Sequence, residues 1–335
     1  MIITLSDVAE RAGVSRSAVS RTYTEGASVS NKTRNKVMKA ARELGYTPNI
    51  IARSLATSRT QLVGLVINNF QNPIFLEVLD QFTRLLQERN LRPLLVNLTD
   101  NPDPADSVQM LKQYRVDAVI VASSTLPPEC SLAFKEAGLP VVNVFGRYNP
   151  SPDVHIVGID NCYAGATAAK TLQSRGYKSM GFLGGPESAT STQDRLKGFK
   201  EGLKSLKLKP TCVCYADNYS YQAGFEAMQR MLAEHHVDAL FCGDDVIAMA
   251  ALSAARAAGI NVPNDLGIIG FNDMEMSSWQ AFGLTTIAQP ITDICQSTVE
   301  LLGNLLENPN RSAETRLLPC QVIERDTLRA APDCS

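Results

Sequence analysis

Polar and apolar positions fall into two regimes along the chain. Over the first forty-five residues, small apolar side chains recur at three- and four-residue intervals, the spacing of one helix face. Thr4-x-x-Asp7 has the form of a capping box with Asp in the acidic place, and it opens a helix over 5–11. Ala12-Gly13-Val14 reads as a tight turn in which Gly13 is free to take a positive φ. Ser15 then caps a second helix running to about Tyr23, and Ser30 caps a third over 31–44. Val37, Ala40, Ala41 and Leu44 form the buried stripe of the third helix, which Gly45 ends. Val8, Ala9, Val14, Ala18 and Val19 are small enough for two short helices to cross closely, so the pattern predicts a helix-turn-helix.

From Gln61 onward, apolar runs alternate with helical periods. Strands are expected at 62–68, 93–98, 118–123, 141–145, 156–159, 180–184, 213–216, 239–242 and 266–270. Helices between them include 75–89, 162–175, 195–206, 221–233 and 248–258. Such alternation predicts a parallel α/β sheet, formed about twice over in this length, and hence two lobes with a cleft between them. Ligands of such sheets sit at the carboxyl ends of the strands, near a topological switch.

Composition adds one asymmetry to an otherwise ordinary globular chain. The 335 residues are 44% hydrophobic and 20% charged, enough for two or three domains with substantial cores. The net charge of −2 divides into +6 over residues 1–60 and −8 over the rest. A basic head on an acidic body suits a polyanion at one end and a separate task at the other, although a solvated helical surface carries charge in the same way. In the second helix Ala18 and Val19 face inward and leave Arg16, Ser17 and Arg21 outward. Residues at this end of such a helix meet base edges in the major groove, where Arg matches the paired acceptors of guanine. Ser15, Ser30 and Thr33 are placed for phosphate contacts, which set register without reading sequence.

Other chemistries find no support. The amino terminus lacks the basic segment of a signal peptide and no apolar run reaches the roughly 18 residues a spanning helix needs, so a cytoplasmic protein is expected. The eight Cys are scattered and read as reduced thiols; Cys212 and Cys214 share one face of an expected strand, without the spacing of a zinc site. No G-x-G-x-x-G, Walker A or G-x-S-x-G sequence occurs, and His155, His235 and His236 sit in no catalytic spacing. No catalytic residue, metal or cofactor is assigned, which leaves a solute-binding protein or an α/β enzyme as weaker alternatives to a DNA-binding regulator.

The series Leu5-x-Asp7-Val8-Ala9-x-x-Ala12-Gly13-Val14-Ser15-x-x-x-Val19-Ser20-Arg21, then Val29-Ser30-x-x-Thr33-Arg34, then Leu44-Gly45-Tyr46-x-Pro48-Asn49-x-x-Ala52-Arg53-x-Leu55, resembles the DNA-binding head of the lactose/galactose repressor family. The resemblance implies that the segment after Pro48-Asn49 forms a short hinge helix on the operator. Two such helices from a dimer enter the minor groove, with Leu55 as the wedge and Ala52 at the close contact. The expected DNA contacts are Thr4, Ser15, Arg16, Ser17, Ser20 and Arg21, then Ser30 and Thr33, then Asn49, Ala52, Arg53 and Leu55.

The body resembles the same family's effector domain, of periplasmic-binding-protein-like fold, through Asn72-Pro73-Ile74-Phe75, Asp160-Asn161, Ser191-x-x-x-Arg195, Asp244-Asp245, Gly270-Phe271-Asn272-Asp273 and Gln289-Pro290. Carried over, the cleft is expected to draw on Ile74, Phe75, Phe145, Arg147 and Ser191, then Arg195, Tyr219, Asp244, Asn272 and Gln289. Two departures stand out: Asn272-Asp273 where the family has Asp after Gly-Phe/Tyr, and Asp244-Asp245 where Asn-Asp is usual. Plain structural roles remain open beside these: Asp160 and Asp245 as helix caps, Arg195 as their ion-pair partner, Phe75 as core.

The implied organisation is a helix-turn-helix domain at 1–47, a hinge and linker at 48–60, and an effector and dimerisation domain at 61–330. Its first lobe covers about 61–160 and 289–318, its second about 161–288 and 319–330. The implied partners are near-palindromic double-stranded operator DNA, a sugar or sugar derivative, and a second copy of the chain. The implied activity is repression under effector control, with activation by the same sensor as the alternative; inducer and corepressor remain equally open.

Overall fold

The computed structural model describes residues 3–24, 26–47, 59–98 and 103–331. The chain divides into two compact units, residues 1–60 and 61–335. The expected hinge contacts Asn49, Ala52, Arg53 and Leu55 lie outside the described residues.

The first unit holds three helices, α1 (Leu5–Ala12), α2 (Arg16–Thr22) and α3 (Asn31–Leu44). Each begins on the cap its sequence offers. The Thr4 hydroxyl accepts from the Asp7 amide while the Asp7 carboxylate accepts from Thr4 N–H at 2.7 Å, closing both halves of the capping box. Ser15 and Ser30 accept from Ala18 and Thr33 N–H in the same way. Gly13 and Gly45 end α1 and α3 at φ +64° and +66°, where a side chain would be strained. Val8, Val19 and Val37 are fully buried, with Ala9, Ala40 and Ala41 packed round them. Arg34 donates to the Thr22 carbonyl and holds α3 to the end of α2.

The second unit contains two six-stranded sheets. The first lobe runs β1 (Leu62–Ile67), α4 (Ile74–Glu88), β2 (Arg92–Asn97), α5 (Ala105–Gln113), β3 (Ala118–Ala122), α6 (Pro128–Glu136), β4 (Val141–Val144) and β5 (His155–Gly158). The second lobe runs α7 (Asn161–Ser174), β6 (Met180–Gly184), α8 (Thr190–Ser205), β7 (Cys212–Tyr215), α9 (Tyr221–Glu234), β8 (Ala239–Cys242), α10 (Asp245–Ala257), β9 (Gly267–Asn272) and β10 (Thr286–Ala288). The chain then returns to lobe one as α11 (Ile291–Glu307) and β11 (Thr315–Leu317), and ends in lobe two as β12 (Gln321–Ile323). The orders are β2-β1-β3-β4-β5-β11 and β7-β6-β8-β9-β10-β12, parallel throughout except for β12 against β10. The expected class, a helix-turn-helix head followed by two doubly wound parallel lobes, is the observed one.

Three crossings join the lobes, after β5, after β10 and between β11 and β12. They place the carboxyl ends of both sheets on one cleft, the position where parallel sheets hold ligands. The three-residue strands β10, β11 and β12 were not among the nine expected, because so short a segment carries no periodicity. Helix α8 begins at Thr190 rather than 195, and α10 at Asp245 rather than 248. The early turn of α8 is polar, with Ser191 and Thr192 bonded to the Tyr219 phenol, and that of α10 follows directly on the Asp244 cap. Helices α7 and α8 touch backbone to backbone: a Cβ on Gly198 would stand 1.9 Å from the Cys162 carbonyl oxygen. This contact brings Arg195 of α8 beside Asn161 at the start of α7.

Candidate functional site

Two surfaces carry chemistry. On the head, Thr4, Ser15, Arg16, Ser17, Ser20, Arg21 and Ser30 are exposed and Thr33 is half-buried. Arg16, Ser17, Ser20 and Arg21 therefore form one polar face of α2, while Val19 and Thr22 point inward. The Arg21 guanidinium leans back on the Ser17 carbonyl at 3.3 Å. Ser15 and Ser30 are also helix caps, and their hydroxyls reach Ser17 and Thr33, each at 2.9 Å.

In the second unit a cleft of about 390 Å³ opens between the lobes. Lobe one contributes Asn72, Ile74, Phe75 and Val78 from the start of α4, Ser124 after β3, Phe145 after β4 and Ile291 at the start of α11. Lobe two contributes Arg195 from α8, Tyr219 before α9, Asp244 at the cap of α10 and Asn272 at the end of β9, with Gln289 on the second connection, after β10. Eight of the ten residues expected at the cleft thus line it: Ile74, Phe75, Phe145, Arg195, Tyr219, Asp244, Asn272 and Gln289. The Phe75 and Phe145 rings meet edge to face, 6.4 Å apart and at 88°, and form an apolar wall.

Ser191 and Arg147 stand elsewhere. Ser191 is buried one shell behind the cleft, where its hydroxyl and that of Thr192 meet the Tyr219 phenol at 3.2 and 2.8 Å. Arg147 is not on the cleft wall. It is 41% exposed on the loop after β4 and reaches across to α8, with Nε on the Asp194 carboxylate at 2.9 Å and Nη2 on Gln193 Oε1 at 2.8 Å. Asp160 caps α7 and Asp244, not Asp245, caps α10. Asp245 is fully buried and accepts from Thr286, Ser277 and the Met274 amide. Arg195 pairs with neither acid: its Nε donates to Asn161 and its Nη1 to the Gly243 carbonyl.

The two departures from the family pattern meet in one network. Asp244 accepts the side-chain amides of Asn72 and Asn272, both at 2.8 Å, and the Val246 amide at 2.9 Å. Gln289 in turn donates to Asn272 Oδ1 at 2.5 Å. Asn272 takes φ +123° and Asp273 φ +59°, a turn that sends Asp273 away from the cleft to Arg325 at 2.7 Å. Burial raises the Asp244 carboxyl to about 7, and the neighbouring Asp245 adds to the rise. Burial likewise raises the Tyr219 phenol and lowers Arg195.

Asn72, Val78, Ser124 and Ile291 line the cleft without having been singled out as site residues. Asn72 opens the Asn-Pro-Ile-Phe motif, and Ser124 follows the carboxyl end of β3, so both carried a readable signal. Val78 and Ile291 look like ordinary core in the sequence.

Comparison with known proteins accounts for both surfaces. Residues 4–49 match the family described as bacterial regulatory proteins, lacI family, and residues 169–328 match the periplasmic binding protein-like domain. The HTH-type transcriptional repressor CytR of Escherichia coli (strain K12) is 30% identical over 333 residues, 98% of this chain and 97% of that protein. The sucrose operon repressor of Pediococcus pentosaceus is 31% identical over 323 residues, 96% of this chain and 98% of that protein. Among solved structures, the lac repressor dimer bound to operator and the anti-inducer ONPF matches with a TM-score of 0.89 at 26% identity, covering 98% of this chain and 100% of that one. With a three-helix head, a two-lobed body and relatives of this identity along nearly its whole length, the chain belongs to the lacI family of bacterial regulatory proteins and is a DNA-binding transcription regulator.

Proposed function

We propose that the chain is a cytoplasmic homodimeric repressor whose affinity for a near-palindromic operator is set by a small sugar-like effector in the cleft, and that it performs no catalysis. One observation carries the reading: the cleft wall comes from both lobes, and Asn72 of lobe one is bonded to Asp244 of lobe two on it. A molecule held there contacts both lobes at once, so binding and lobe geometry are one equilibrium. A relative named for the sucrose operon supports a sugar, and the lac repressor dimer on operator supports the dimer and the DNA partner.

In this reading residues 1–47 bind DNA, 48–60 form the hinge and 61–330 hold the effector and the partner subunit. Arg16, Ser17, Ser20 and Arg21 read bases, while Thr4, Ser15, Ser30 and Thr33 contact the backbone of the duplex. Asn49, Ala52, Arg53 and Leu55 act in the minor groove. Arg195, Asp244, Asn272 and Gln289 bind polar groups of the effector, with Ile74, Phe75, Phe145 and Tyr219 against its apolar faces. Ser191 fixes the Tyr219 phenol, and Arg147 ties the lobes outside the cleft. Effector and operator are then coupled by about 1–3 kcal/mol, in both directions.

A mobility-shift titration of the purified chain tests this, using a near-palindromic site from its own promoter region with and without candidate sugars. The reading requires binding that weakens steeply with salt, as phosphate contacts demand, and that changes with at least one sugar. Absent or salt-insensitive binding to every such site contradicts it.

A further inference from the structure

Among the described residues, Arg195 is the one cationic side chain on the cleft wall, and it is 5% exposed. Its guanidinium is fixed on three sides. The Phe271 ring lies 3.5 Å from its central carbon, Nε donates to Asn161 Oδ1 at 2.8 Å, and Nη1 donates to the Gly243 carbonyl at 2.6 Å. All three partners are neutral. Among the described residues Nη2 has no hydrogen-bond partner, and no carboxylate lies within ion-pair distance of the group.

The acid on the same wall, Asp244, acts on this charge through space but makes no hydrogen bond to it. Asp244 Oδ1 accepts the Val246 amide, and Oδ2 accepts the Asn72 and Asn272 side chains. Gln289 in turn fixes Asn272, so the row is held in one orientation. A buried cation among neutral partners is costly, and a charge-assisted bond from an anion is the strongest compensation.

We infer that the effector is a small hydroxylated carboxylic acid, of the uronic or aldonic acid type, whose carboxylate meets Nη2 of Arg195 while its carbon skeleton lies against Phe75 and Phe145. The inference rests on the cleft being the effector site. The Ser124 hydroxyl and Gln289 Oε1 lie on the wall with no hydrogen bond among the described residues, and they suit the ligand's hydroxyls. A carboxylate fits better than a phosphate: one terminal nitrogen is open, and no second cation on the wall offsets a dianion beside Asp244.

The test is calorimetric titration of the full chain with matched compounds: glucuronate against glucose, galacturonate against galactose, gluconate against sorbitol, with glucose 6-phosphate as the phosphate arm. At neutral pH the tightest binder should be a carboxylate, about tenfold or more tighter than its neutral partner. Arg195→Gln should bring that pair to within about twofold, and Arg195→Lys, which keeps the charge, should restore part of the preference. A neutral sugar or the sugar phosphate binding tighter than every acid, or an acid preference that survives Arg195→Gln, overturns the inference and leaves the effector cleft standing. No binding by any compound, acid or neutral, counts against both.

Discussion

Asn72 of lobe one donates its side-chain amide to the Asp244 carboxylate of lobe two at 2.8 Å, a direct bond between the lobes across the cleft. Asn272 donates to the same oxygen, also at 2.8 Å. The acceptor is thus a buried carboxylate held by amides, and its properties decide how the two lobes respond to acid and to substitution.

The pH dependence of stability follows from Asp244. Its folded-state value of about 7 lies above the ordinary 3.8, chiefly through burial. The folded protein therefore keeps this proton over a range where the unfolded chain has lost it. Its contribution is full below about pH 4 and is lost as pH rises towards 7, amounting to about 4 kcal/mol at most. Urea denaturation across this range should show wild-type stability falling relative to Asp244→Asn as pH rises. Parallel profiles would mean that Asp244 titrates normally.

Asp244 and Asn272 should be strongly coupled. Asp244→Asn turns an amide on two amide donors, and Asn272→Asp sets a second buried carboxylate beside the first. The double exchange restores an amide–carboxylate contact with its ends reversed. A double-mutant cycle by chemical denaturation should give a coupling of about 1–3 kcal/mol in favour of the double variant. Additive single effects would show that the two side chains act independently.

Close packing of α7 on α8 predicts a sharp contrast between two glycines. Gly198→Ala drives a methyl into the Cys162 carbonyl and should cost about 2 kcal/mol or more, lowering the denaturation midpoint. Gly303→Ala, on α11, meets nothing within 4 Å and should stabilise by up to about 1 kcal/mol, through helix propensity alone. Equal effects would contradict the backbone contact.

On DNA, Arg16→Ala should weaken operator binding by about 1–3 kcal/mol and relax discrimination at one base pair, read by mobility shift against single-base operator variants. Leu55→Ala should weaken operator binding while leaving effector affinity unchanged, as a minor-groove wedge requires. Equal loss of both ligands in Leu55→Ala would remove the residue from the hinge role.

Much of this was legible in the residues before the structure. The head was written in its caps: Thr4 with Asp7, Ser15, Ser30, and the two glycines with positive φ all act locally, so sequence neighbours suffice to read them. The long strands were readable because both faces are buried and the apolar run is continuous. Thr190–Gln193 was not, since this turn is polar and its helix is stabilised by Ser191 and Thr192 meeting Tyr219, a residue far along the chain. Arg147 was drawn towards the cleft by its place after β4, yet its partner Asp194 lies on the other lobe and outside the wall. Asn272 likewise joins Asp244 only through a turn with two positive φ values, which no periodicity foretells.

Whether the cleft governs the grip on DNA is read from fluorescence anisotropy of labelled operator. The operator Kd is measured with and without the tightest cleft ligand, for the wild-type chain and for Arg195→Gln. Saturating ligand should shift the wild-type operator Kd by about 5- to 150-fold and leave that of Arg195→Gln nearly unmoved. An unchanged wild-type operator Kd with the cleft fully occupied would contradict the account.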